Sequence, residues 1–255
     1  MQGYAIIKPM EKETYRERFY RDFSRSAGLK KFEVRVEETD LLVLAEKNLK
    51  KEIEKEVIRQ RQIIKNYIRY HPEFYTSFSP VLCESEEEII KLMCDSARMT
   101  ETGPMASVAG AIAEIVGRKM LSLSSQILIE NGGDIFVKMD REFTVGIYAG
   151  KSSPLSFNLG IVFPATPQPL GIATSSGTVG HSFSYGKADA VTVISYSAAL
   201  ADGTATYFGN LITEEKIEKE KIEEELKRFP FVEGLLIIKG KEMFLWGKIE
   251  LKILS

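Results

Sequence analysis

Four segments gather the residue types that could do chemistry: GPMASVAGAIAE (103–114), ENGGDI (130–135), TSSGTVGHSFSYGKADA (174–190) and ADGTAT (201–206). In ADGTAT, Asp202 and Thr206 stand four apart, which on a helix places a carboxylate and a hydroxyl on one face. Two hard oxygens one turn apart suit magnesium, which usually keeps water and substrate phosphate oxygens as well. The same spacing fits a helix-start acid followed by a packed threonine, and spacing alone favours that plainer reading. In ENGGDI, Asn131, Gly132, Gly133 and Asp134 form a hairpin signal. Glycine there also permits positive φ and close backbone approach, so exposed N–H groups and Asp134 could meet a phosphate-bearing ligand.

The longest of the four spends seven of its seventeen positions on hydroxyls. Ser175, Ser176, Gly177, Thr178 and Gly180 supply donors and backbone for lining an anion. His181 is the side chain able to shuttle a proton near neutral pH. Its neighbour Ser182 does not make a triad, because adjacent residues seldom face one another. Lys187 is equally readable as a phosphate partner and as a surface lysine.

These side chains need a scaffold, and composition bounds it. The 255 residues suffice for a substantial core without metal or disulfide staples. A net charge of −2 and a pI near 5.9 offer no electrostatic footprint for nucleic acid. No run approaches the roughly twenty apolar residues of a membrane span. Cys83 and Cys94 are not in a CxxC pattern and read as two thiols in a reducing cytosol, so a cytoplasmic location is expected. Two Cys and two distant His do not make a zinc site.

The patterning predicts strands over 13–21, 31–37 and 41–47, then a helix from Asn48 to Tyr70 ended by His71-Pro72. Helices follow over 85–98, with Ser85 as cap, and over 106–120. ILIENGGDIFVKM reads as strand, tight turn, strand; FTVGIYAG, NLGIVF, GIATSS and VTVISY add short strands. A helix is predicted over 198–210 and another over the charged run that Thr213 caps, ending at Lys227-Arg228. A hairpin turning at Lys239-Gly240-Lys241 closes the chain. The expectation is one α+β domain, antiparallel sheets flanked by helices. Its strands lie at 13–47, its helices at 48–120, and its second sheet with further helices at 126–255.

Taken in order, the four segments resemble the ApbE superfamily of FAD:protein FMN transferases, and more closely an uncharacterised branch of it. ENGGDI is similar to that superfamily's glycine-glycine-aspartate motif, and TSSG, a histidine, VTV and ALADGTAT to its C-terminal ligand and metal region. The resemblance implies an ApbE-like fold and a cleft for FAD or FMN with magnesium. Asp202 and Thr206 would hold the metal; Asn131, Gly132, Gly133 and Asp134 would face the nucleotide; His181 would take the place of the transferases' histidine. In those enzymes FMN moves to a protein Thr or Ser and AMP leaves. Their lysine-glycine pair and aspartate-proline-x-threonine-glycine segment have no match in MASVAGAIAE and HSFSYGKADA. Three readings stay open: a flavin-nucleotide enzyme taking a small anionic ligand, a non-catalytic accessory protein of redox or sulfur assimilation, and a homo-oligomer whose small-residue segments serve close packing.

Overall fold

A strand whose residues are buried at every position needs cover on both faces. The strand β2, Thr39–Ala45, is buried along its whole length, as are β3, Ile127–Asn131, and β8, Ala190–Ser195. The computed structural model describes residues 28–150, 153, 155–156, 158–176, 187–213 and 216–254, and within them helices cover one face of the main sheet and a smaller sheet the other, making three layers.

The middle layer is an eight-stranded antiparallel sheet in the order β1-β2-β3-β4-β7-β8-β9-β10. Its remaining strands are β1 (Lys30–Val36), β4 (Asp134–Lys138), β7 (Leu170–Ser175), β9 (Val232–Lys239) and β10 (Glu242–Gly247). A smaller antiparallel sheet holds β5 (Phe143–Gly146), β6 (Leu159–Phe163) and β11 (Glu250–Ile253), in the order β11-β6-β5.

Side chains alternate across a strand, and the cores divide accordingly. Leu41, Val43, Ile127, Ile129 and Phe136 pack with the helices α1 (Lys50–Tyr70), α2 (Glu73–Thr76), α3 (Glu88–Thr100) and α4 (Val108–Met120). Val191, Val193, Leu235 and Ile237 pack with α5 (Ala198–Leu211) and α6 (Lys219–Leu226). The alternate positions, among them Leu128, Ile135, Val137, Ile172, Leu236 and Ile238, meet Ile161 and Phe163 of the small sheet. At about 1.5–3 kcal/mol for each large apolar side chain taken from water, this two-faced burial is the main stabilising term.

Several expectations change in detail. The strand expected over 13–21 lies outside the described residues. The helix expected at 85–98 runs from Glu88 to Thr100, and Ser85 accepts the Glu87 N–H in the turn before it rather than capping it. Residues 104–107 form a 3-10 turn, and α4 starts at Val108 rather than at Ala106. The helix expected directly after Thr213 starts only at Lys219, with Glu218 at its N-cap, and residues 216–218 ahead of it are not helical. His71 does end α1, stacked on Tyr67 with ring centroids 4.3 Å apart.

The expectation of two free thiols is overturned, since Cys83 and Cys94 form a disulfide with Cα atoms 6.3 Å apart. The extended segment before α3 folds back along that helix and brings Cys83 opposite Cys94, a proximity that sequence spacing does not reveal. Among the described residues no helix is long and apolar enough to cross a membrane.

Candidate functional site

The β3–β4 hairpin is joined by two residues only, with Asn131 opposite Asp134. Such a loop requires positive φ at both centres, and Gly132 and Gly133 adopt +72° and +112°. The tip is pinned on two sides. Asn131 Nδ2 donates to the Ala109 carbonyl at 3.1 Å, and the Thr174 N–H donates to the Gly133 carbonyl at 3.2 Å. The hairpin therefore meets the start of α4 and the end of β7 at one place. The Gly133 N–H turns inward to Glu130 Oε1 at 2.9 Å, so it does not face a phosphate as the sequence suggested. Asp134 is buried where β4 begins, opposite Ala173 of β7.

The start of α4 is closed by a side chain from another helix. Ser107, its N-cap residue, makes no side-chain capping bond. Instead Asp202, on α5, accepts the Gly110 N–H on Oδ2 at 2.9 Å, and the Ala109 N–H also points to this carboxylate. The carboxylate thus takes two of the four N–H groups a helix start leaves without partners. Burial pushes the Asp202 carboxyl up to about 7, against the opposing pull of the Gly110 and Ala109 N–H groups. The approach is close because Gly110 has no side chain: a Cβ there would come within 2.3 Å of the Ala198 carbonyl oxygen.

α5 begins against β7 and runs the way β7 runs. A Cβ on Gly171, early in β7, would touch the Ala198 backbone at 2.3 Å, while Ile212, just past α5, accepts the Lys187 N–H at 2.7 Å. Thr206 lies one turn beyond Asp202, half-buried, toward the end of the sheet where Ser175 and Ser176 leave β7. There the Thr174 and Thr192 hydroxyls bond each other at 2.9 Å.

The structure thus brings Asn131, Gly132, Gly133, Asp134 and Asp202 together around the first turn of α4. Ser175 and Ser176 close the adjoining end of β7. Lys187 stands apart, exposed beyond the end of α5, with its carbonyl held by Lys239 Nζ. Gly177, Thr178, Gly180 and His181 lie outside the described residues.

Sequence reasoning missed Glu114 and Ser197. Glu114 is fully buried on α4, and its Oε2 accepts from Ser197 Oγ at 2.6 Å and from the Ala199 N–H at 3.1 Å. The available signal was a lone glutamate inside an alanine- and glycine-rich helix.

The described part of the site holds four carboxylates, Glu114, Glu130, Asp134 and Asp202, from four elements. Of these, Glu114 and Glu130 are engaged by protein partners, and Asp202 with Thr206 one turn on is the pair whose hard oxygens suit a divalent cation. No cluster of three or more His, Cys, Asp or Glu gathers among the described residues, so Asp202 and Thr206 would need ligand or water oxygens to complete a cation's shell. A separate hollow of about 500 Å³, lined by Glu56, Gln60, Ile115 and Arg118 among others, lies where α1, α3 and α4 meet. It shares none of the predicted site residues.

The family model described as AbpE bacteria matches residues 21–227. A UPF0280 protein of Archaeoglobus fulgidus is 39% identical over 227 residues, covering 87% of this chain and 93% of its own. A UPF0280 protein of Methanococcus aeolicus is 38% identical over 202 residues, covering 76% and 79%. Among solved structures, the apo flavinyl transferase ApbE of Pseudomonas stutzeri superposes with a TM-score of 0.54 at 13% identity, covering 86% of this chain and 93% of that one. An ApbE protein of Thermotoga maritima gives 0.50, also at 13% identity, covering 87% and 96%. At that identity the two structures establish a shared α+β fold.

Proposed function

The chain belongs to the AbpE bacteria family, and from this premise we propose that it binds a flavin nucleotide together with a divalent cation where α4, α5 and the β3–β4 hairpin meet. The observation that carries the reading is the Asp202 carboxylate, half-buried, facing the first turn of α4 and paired with no lysine or arginine among the described residues. Magnesium would supply the charge neutralisation a pyrophosphate needs at such an acidic place. Asp202 and, one turn on, Thr206 would contribute two hard oxygens to it. Asp134 and Asn131 would flank the nucleotide, with Ser175 and Ser176 on the other side. Cation binding requires the deprotonated carboxylate, so affinity rises with pH up to about 7 and levels off above it.

FMN transfer or pyrophosphate hydrolysis is the reaction this arrangement fits best: a hydroxyl or water oxygen bonds to the flavin-side phosphorus, and AMP leaves. A second, non-catalytic reading rests on the start of α4. Ala109 stands beside Gly110 there, its carbonyl already taken by Asn131, so this turn brings no cationic side chain to a pyrophosphate. An accessory flavin-binding protein needs none. Calorimetric titration with FAD, FMN and ADP, each with and without magnesium, separates the readings. Magnesium-strengthened FAD binding that is lost in Asp202→Ala supports the site, and AMP release then decides for catalysis. Failure of all three nucleotides to bind at about millimolar concentration refutes the flavin reading.

A further inference from the structure

Glu114 and Asp202 do the same thing in opposite directions. Asp202 of α5 closes the start of α4 through Gly110, and Glu114 of α4 closes the start of α5 through Ser197 and Ala199. The exchange works because the helices pass antiparallel: Gly110 faces Ala198 and Asp202, while Glu114, one turn on, faces Ser197 and Ala199. Each carboxylate sits near the partial positive charge of the other helix's first turn.

The two contacts differ in surroundings. Glu114 is fully buried, and its second oxygen forms an ion pair with Arg118 on the next turn of its own helix. Arg118 in turn lies 4.0 Å from Glu88 at the start of α3. Asp202 is held by the backbone N–H groups of Gly110 and Ala109. Glu114 is therefore the member of the pair that an arginine also anchors.

We propose that Glu114 is the positioning residue of the candidate site: by fixing the first turn of α5 against α4 it sets where Asp202 stands. Its neighbours restrict other ways of holding that turn. Gly110 and Gly171 let α5 approach both α4 and β7 to backbone contact, and Ser96 Oγ donates to the Ala199 carbonyl at 2.8 Å from the α3 side. Those contacts set the distance of α5 from its neighbours, and the Glu114 carboxylate, bonding N–H and O–H at the helix end, sets its register. The helix-to-helix contact stands without the flavin reading; only the consequence for ligand affinity rests on it.

The test is residue-resolved amide exchange in the full chain, comparing Glu114→Ala, Glu114→Gln and wild type. Glu114 touches the Ala199 amide but not the Gly110 amide, which Asp202 holds. In Glu114→Ala both amides are expected to exchange about tenfold faster or more, while Ile129 and Val43 in the central strands stay within about twofold. Glu114→Gln keeps an acceptor oxygen and is expected to restore both amides to within about threefold of wild type. Opening of Ala199 alone would make Glu114 a local cap and overturn the proposal. Equal acceleration at Ile129 and Val43 would make it a general stabiliser and overturn it too. If Glu114→Ala does not fold, Glu114→Asp, one methylene shorter, is read on the same amides. Magnesium-dependent FAD affinity, measured in parallel, is expected to fall about tenfold in the alanine variant and recover in the glutamine variant. Absence of FAD binding in the wild type refutes the flavin reading and leaves the exchange result to decide on Glu114.

Discussion

Replacing Asp202 by asparagine isolates the charge that the fold holds in an unfavourable place. The asparagine amide oxygen can still accept the Gly110 N–H, so the closure of α4 persists while titration disappears. Burial raises the carboxyl from its ordinary 3.8 to about 7, so the folded chain binds this proton more tightly than the unfolded chain does. The stability linked to this group is then greatest below pH 3.8, declines as pH rises, and is fully lost above about pH 7. At about 1.4 kcal/mol per pH unit the loss has an upper figure of about 4 kcal/mol. Asp202 keeps part of its surface in water, and screening reduces this to about 2 kcal/mol. Urea denaturation of both proteins from pH 4 to pH 8 reads it directly. The asparagine variant is expected to gain on the wild type steadily up to about pH 7 and by a constant margin beyond, equivalent to about 4–8 °C in Tm for a chain of this size. A difference independent of pH would refute the reasoning, because it would mean that Asp202 ionises as readily in the folded chain as in the unfolded one.

Gly110→Ala brings a Cβ within 2.3 Å of the Ala198 carbonyl oxygen and 2.9 Å of Asp202 Cβ. Overpacking should cost about 2–3 kcal/mol in thermal or chemical unfolding, and a loss below about 0.5 kcal/mol would show that α4 and α5 can part freely. The Cys83–Cys94 link spans 11 positions. Unfolding of oxidised wild type against Cys83→Ala/Cys94→Ala should differ by about 2–3 kcal/mol, and equal stabilities would mean that the link restrains nothing.

Much of the architecture was legible because it repeats. Alternation and apolar runs located β2, β3, β4, β7, β8 and β9, and the three- and four-residue spacing of Ile53, Val57 and Ile64 located α1. Asn131-Gly132-Gly133-Asp134 announced a two-residue hairpin through glycines able to take positive φ. The disulfide was not legible, because nothing local says that the segment carrying Cys83 turns back along α3. The charged run after Thr213 misled for a related reason: helix-favouring residues extend beyond the part that Ile222 and Leu226 anchor in the core.

The same division runs through the candidate site. The sequence by itself determined which residue types were available and which shared a local element: Asp202 with Thr206 on one helix, Asn131 with Asp134 across one turn. Those relations depend only on helical period and turn geometry. Only the tertiary structure decided that Asp202 closes α4, that Glu114 closes α5, that the Gly133 N–H faces Glu130, and that Lys187 stands away from the hairpin. Each of these joins residues on different elements or fixes the direction of a backbone group. Such relations are set by how two helices and a sheet pack, and local periodicity carries no record of it.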